Sequence, residues 1–265
     1  MADNDSRSGT RYDSDAIRDY VQRTHARHDA ALAQAFAVPA EMPAIQVGPN
    51  EGKLLFLLAR MIGATKIVEV GTLAGYSAIH LARALPPGGH VHTIEFEPSH
   101  AKVARANIDA AGLGGAVTIH VGAGTDVLPT LDRDGPFDLV FIDADKENAA
   151  AYFDASVRLG RPGTVIIVDN VVRAGEIRDP ASTDPRVQGT QRLLERMAAD
   201  PRVDWTVLQT VGRKGHDGWA VAWVRSPDAA IPKGAGPSAP SAGRHRSARA
   251  RGTRSTHAGR RLSNH

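Results

Sequence analysis

The stretch Phe141 to Asn148, FIDADKEN, runs an apolar strand straight into Asp143, Asp145, Lys146 and Glu147. A carboxylate at a strand end calls for a positive partner, and Lys146 lies three residues later. A second run, VIIVDN, ends the same way in Asp169 and Asn170. Asp143, Asp169 and Asn170 together offer three oxygen ligands with no imidazole or thiolate. That set suits a hard divalent ion such as Mg²⁺ and leaves positions for water or substrate. Singly, each has a plainer reading: an aspartate at a strand end is commonly a loop residue or helix cap, and Asp-Asn is a turn former.

A second group lies earlier, in VEVGTLAGYSA. Gly71 and Gly75 permit a tight strand-to-helix turn, and the backbone N–H groups near Tyr76 and Ser77 open a helix able to receive a ligand carboxylate or phosphate. The G-x-x-x-G spacing lacks both the dinucleotide fingerprint and the G-K-[ST] of a phosphate loop. Glu95 follows Gly71 by 24 positions, near the distance at which an acid after the second strand meets ribose hydroxyls. The pairing points to an adenosine-containing ligand without a pyrophosphate. His90 and His92 sit at the start of their strand, on the opposite edge, and read as a solvated entry. Gly75-Tyr76-Ser77 lacks the trailing glycine of a hydrolase nucleophile elbow, so no serine nucleophile is expected.

These groups need a scaffold that brings strand ends together. Apolar spacing predicts a helix over 14–36, broken by Pro39 and Pro43, then a second helix from Asn50 that Gly63 ends. Strands are then expected at 66–71, 90–96, 116–122, 137–143 and 163–170, alternating with helices at 76–85, 99–112, 125–131 and 147–158. Such alternation requires a parallel sheet covered on both faces, a doubly wound α/β domain. A helix at 184–200 and two closing strands around GRKGHDG, paired as a hairpin, complete it. In this architecture ligands bind outside the carboxyl ends of the strands. Glu69, Glu95, Asp143 and Asp169 all fall at that edge, where unpaired carboxylates would repel, so something cationic belongs between them.

Composition sets the bounds. The chain has 265 residues, 42% of them hydrophobic, and no cysteine, which excludes disulfides and thiolate chemistry. No apolar run is long enough for a membrane span and the first residues carry no secretory h-region, so a cytoplasmic protein is expected. The net charge of +3 misleads, because eight of the 32 basic residues lie after residue 225, where Asp228 is the only acid. The remainder, with 24 basic and 28 acidic side chains, is net negative at about −4. Residues 226–265, rich in Pro, Gly, Ser and Arg, are expected to be disordered, as are residues 1–13. The basic tail is either a weak tether for nucleic acid or acidic surfaces, or a solubilising extension.

VEVGTLAGYSAIHLA, TIEFEP, FIDADKEN and VDN together resemble the cation-dependent O-methyltransferases, which include the catechol and caffeoyl-coenzyme A enzymes, over about residues 14–225. The resemblance implies a Rossmann-like class I methyltransferase fold with a seven-stranded, mostly parallel sheet whose last strand is antiparallel. It implies S-adenosylmethionine as methyl donor. Glu69, Gly71, Thr72 and Ser77, with the backbone at Val47, would hold its methionine part beside the helix entry at Tyr76. Glu95 would hold the ribose, Ala123 and Gly124 would border the adenine, and Asp145 would support the cofactor side. Asp143, Asp169 and Asn170 would ligate Mg²⁺, with Lys146 as general base toward a catechol-like acceptor.

The family also implies a homodimer, with the N-terminal helix and the closing hairpin as contacts. Relatives often carry Trp where Arg173 stands, Gly or Asn at Ala174 and Tyr at Ala149. No lysine precedes Lys53, so the coenzyme A contact of the plant enzymes has no counterpart. Arg173 either faces an acidic acceptor or makes a surface salt bridge. Two other functions share these residues: methylation of tRNA hydroxyuridine, aided by the basic tail, and non-catalytic binding of S-adenosylmethionine.

Overall fold

The computed structural model describes residues 14–212 and 215–227. Residues 1–13, and the expected disordered segment 226–265 apart from its first two residues, lie outside them. Seven strands form one sheet: β1 (Lys66–Val70), β2 (His90–Glu95), β3 (Val117–Val121), β4 (Phe137–Ile142), β5 (Gly160–Asp169), β6 (Val203–Gly212) and β7 (Gly215–Val224). Their order is β3-β2-β1-β4-β5-β7-β6, and β7 runs antiparallel to both neighbours. The helices are α1 (Ser14–His25), α2 (Ala30–Phe36), α3 (Pro49–Met61), α4 (Tyr76–Ala84), α5 (Pro98–Ala110), α6 (Gly124–Val127), α7 (Ala149–Leu159) and α8 (Pro185–Ala199).

Every residue of β4 is buried, as a central parallel strand with helices on both faces requires. On one face Leu55 of α3, Ile79 of α4 and Ile108 of α5 pack against Ile67, Phe141, Ile167 and Trp219. On the other, Phe153 of α7 and Leu193 and Met197 of α8 pack against Val68, Val140, Ile166 and Ala220. Each such side chain, once fully buried, contributes about 1.5–3 kcal/mol.

Register places the site. Val70 pairs with Ile94 and with Ile142, and Ile142 pairs with Val168. The next residues, Glu95, Gly71, Asp143 and Asp169, therefore stand in one row across four neighbouring strands.

Two expectations need correction. The single helix expected over 14–36 is two, because Asp29 ends the first run by capping α2, its carboxylate accepting from the Leu32 N–H at 2.9 Å. A 3-10 segment at Arg173–Arg178 follows β5 where no element was expected. Among the described residues, no helix is long and apolar enough to cross a membrane.

Candidate active site

The turn after β1 has one tolerance-free position. Gly71 adopts φ 101, and a Cβ there would lie 2.0 Å from the Asp143 carbonyl oxygen, so only glycine lets the ends of β1 and β4 approach this closely. Leu73 in the same turn is left-handed at φ 50, a conformation that costs a branched residue strain. Glu95 holds it there. Its Oε2 accepts from the N–H groups of Thr72 (3.1 Å) and Leu73 (2.7 Å), and its Oε1 from Glu97 N–H (3.0 Å).

Glu69, two residues before Gly71, is fully buried. The Thr93 hydroxyl donates to its Oε2 at 2.6 Å, and the Thr72 hydroxyl lies 2.5 Å from that of Thr93. Its Oε1 has no hydrogen-bond partner. Burial pushes this carboxyl up to about 7, the Ser77 and Thr93 hydroxyls pull it back in part, and Asp143 and Glu95 add repulsion. A buried carboxylate with one unpartnered oxygen fits a ligand ammonium, which would satisfy the oxygen and stabilise the charge.

Beyond β4, Lys146 opens a 3-10 turn, Lys146–Asn148, that leads into α7. The Lys146 side chain is nearly buried, and its Nζ lies 3.1 Å from Asp143 Oδ1. The turn is fixed from behind by α8: a Cβ on Gly189 would meet the Lys146 carbonyl oxygen at 2.2 Å. Asp145 accepts from the Tyr152 hydroxyl at 2.5 Å and from Asn148 Nδ2 at 2.6 Å. Burial, then the Asp145 contact, pushes the Tyr152 phenol well above its usual range, so it stays a donor.

After β5, Asn170 is left-handed at φ 58, and its backbone N–H (2.7 Å) and Nδ2 (3.1 Å) both point to Asp169 Oδ1. Asp217 of β7 pins the next residues, its Oδ1 accepting from Val172, Arg173 and Gly218 N–H groups at 3.0, 3.0 and 2.9 Å. Two carboxylates and a carboxamide at adjacent strand ends are hard oxygen donors and fit a divalent ion. Among the described residues no group of three or more His, Cys, Asp or Glu could hold a metal.

A cleft of about 990 Å³ opens above this row. Its walls include Val47, Gly71, Thr72, Tyr76, Ser77, Glu95, Ala123, Gly124, Asp143, Asp145, Lys146 and Asn170. Asp169 instead lines an adjoining cavity of about 230 Å³ that shares Val47, Asn170 and Asp217 with the cleft. Glu69 lines neither. The candidate cofactor, metal and base residues named from sequence thus lie at one edge of the sheet. His90 and His92 lie at the other end of β2, next to His120, with His92 Nδ1 3.0 Å from His120 Nε2. Sequence reasoning missed Tyr152, Gly189 and Asp217. Nothing in their local patterns marks them, since each acts across 7 to 45 positions.

This strand order, with β7 antiparallel and a glycine-bounded turn after β1 leading into the cleft, defines a class I methyltransferase. The comparisons agree. Residues 24–216 match the family described as O-methyltransferase. The chain is 48% identical over 215 residues to a catechol O-methyltransferase of Niastella koreensis, covering 80% of this chain and 97% of that one. It is 49% identical over 208 residues to a catechol O-methyltransferase of Mycobacterium tuberculosis, covering 78% and 94%. Among solved structures, the O-methyltransferase TomG of Streptomyces achromogenes, involved in tomaymycin synthesis and in complex with SAM, matches with a TM-score of 0.78 at 45% identity, covering 80% and 96%. The chain belongs to the O-methyltransferase family, and it is an S-adenosylmethionine-dependent O-methyltransferase.

Proposed function

We propose that this chain methylates one hydroxyl of a vicinal diol on an aromatic ring, a catechol-like acceptor, at a divalent cation held by Asp143, Asp169 and Asn170. The observation that carries the reading is the register that sets Asp143 and Asp169, with Asn170, at the ends of adjacent strands, and Lys146 Nζ 3.1 Å from Asp143 Oδ1. The relatives named catechol O-methyltransferase support the acceptor class.

A divalent ion held there would supply Lewis acidity that lowers the pKa of the acceptor hydroxyl. The chain's own residues supply the rest. Lys146 Nζ accepts the hydroxyl proton, and Asp143, 3.1 Å away, keeps Nζ facing the acceptor. Glu69 receives the ammonium of the methyl donor on its unpartnered Oε1. The turn at Gly71 and Thr72, the helix entry at Tyr76 and Ser77, and the Val47 backbone hold the rest of the methionine part. Glu95 meets the ribose, Ala123 and Gly124 border the adenine, and Asp145, fixed by Tyr152, supports the cofactor side. Because the donor's positive charge vanishes during transfer, the protein contributes alignment more than charge stabilisation.

The test is mass-spectrometric detection of methyl transfer to a panel of catechols, with Mg²⁺ and with EDTA in parallel. Transfer that EDTA abolishes, and that Lys146→Ala lowers by about 10²-fold or more, is the expected result. Transfer unaffected by EDTA overturns the metal assignment, and wild-type rates in Lys146→Ala overturn the base.

We also infer that two copies pair through α1, α3 and the β6–β7 hairpin. Ile17 and Tyr20 of α1, Leu54, Leu57 and Met61 of α3, and Leu208 and Trp223 of the hairpin are exposed apolar side chains that a second copy would cover. A monomeric mass by light scattering would refute this.

A further inference from the structure

We propose that Arg173 binds a carboxylate carried by the acceptor, so that the preferred catechol-like substrates are aromatic acids; this rests on the acceptor class proposed above. Arg173 follows Asn170 by three residues and lines the same cleft. Its backbone is held on both sides. Asp217 Oδ1 accepts its N–H at 3.0 Å, and Arg173, Ala174 and Gly175 run through left-handed φ values of 52, 53 and 88. Two consecutive non-glycine residues in that region persist only where the surroundings over-determine them. The guanidinium therefore starts from a fixed root beside the cation-ligand set.

Arg173 Nε is buried and has no hydrogen-bond partner, and among the described residues the guanidinium makes no ion pair. Of the other charges at this end of the cleft, Asp184, Asp217 and Lys146 have bonded partners. Asp184 feels Arg173 but is taken by Arg186, whose Nη2 and Nε lie 2.9 and 3.1 Å from its carboxylate. Glu147 and Glu176 are exposed, and both act on Arg186. Asp217 spends its Oδ1 on three backbone N–H groups. Lys146 faces Asp143. A buried guanidinium N–H without an acceptor is costly unless a ligand provides one, and the planar fork of arginine matches a carboxylate in two bonds. The surface salt bridge open to Arg173 from sequence is not formed among the described residues.

The experiment compares kcat/KM for three catechols under Mg²⁺: protocatechuate, its uncharged methyl ester, and the cation dopamine. The wild type is expected to favour the acid over the ester by about tenfold to a hundredfold, the range that one or two charge-assisted hydrogen bonds give. Arg173→Gln should erase that ratio, mainly by raising KM for the acid, and Arg173→Lys should keep part of it. Equal use of acid and ester by the wild type, preference for dopamine, or an unchanged ratio in Arg173→Gln would overturn the inference while leaving the catechol reading intact. No methylation of any of the three would sink the catechol reading and this inference with it.

Discussion

Affinity for the methyl donor should depend on pH through Glu69. The carboxyl is completely buried and is pushed up to about 7, first by burial. Receiving an ammonium on Oε1 requires the ionised form, yet at pH 6 the free protein holds Glu69 mostly protonated. With a pKa near 7, about a tenth of the sites are ionised at pH 6 and about nine tenths at pH 8, so binding weakens about tenfold, or ~1.4 kcal/mol, between the two. Titration calorimetry with S-adenosylhomocysteine, which carries the same ammonium, at pH 6, 7 and 8 measures it. Glu69→Gln keeps the shape and removes the titration. Its affinity should be flat over this range and about 10- to 100-fold weaker at pH 8. A flat wild-type profile, or the same slope in Glu69→Gln, refutes the reasoning. The ligand-free protein supplies an independent check of sign. The folded-state value is raised from 4.5 to about 7, so the folded protein binds the extra proton. The stability this confers is fully present below pH 4.5 and is lost as pH rises through about 7. The fall is about 3 kcal/mol, and Glu69→Gln should abolish it in denaturant titrations.

Gly189→Ala puts a methyl 2.2 Å from the Lys146 carbonyl oxygen and 2.8 Å from Glu147 Cα. It should cost about 1–3 kcal/mol by chemical denaturation and lower kcat more than it weakens donor binding, because it displaces Lys146. Asp217→Ala strips the acceptor from three N–H groups. It should cost about 2–4 kcal/mol and raise KM for the acceptor, with unchanged stability counting against the pinning role. Tyr152→Phe removes the bond to Asp145, a loss of about 1 kcal/mol, and an increase in the Kd for S-adenosylhomocysteine would register its effect on the cofactor side. Leu57→Glu on the exposed face of α3 should shift the mass by light scattering toward the monomer.

Much of the site is legible in sequence because a parallel sheet converts linear pattern into position. Strands of similar length, each entering the sheet at one edge, must finish at the other, so acids at the ends of apolar runs become neighbours without any long-range information. Asp143 and Asp169 follow Ile142 and Val168, which pair directly. The same logic places Glu95 beside Gly71. It fails for what depends on depth and on return contacts. Glu69 reads like Glu95, an acid near a strand end. Both are buried, and only the three-dimensional arrangement shows that Glu69 keeps an orphaned oxygen while Glu95 is bonded to the turn. The break between α1 and α2 has a local sign, since Asp29 before Ala30 is a cap residue, but an apolar spacing that carries on across it masks that sign. Asp217 is different in kind. It reaches Arg173 because β7 inserts antiparallel between β5 and β6, a choice of strand order that no local pattern encodes. The residue best placed to choose the acceptor is thus fixed by the sheet's one reversed strand. Specificity at this site should accordingly respond to changes in β7 that leave Asp143, Asp169, Asn170 and Lys146 untouched.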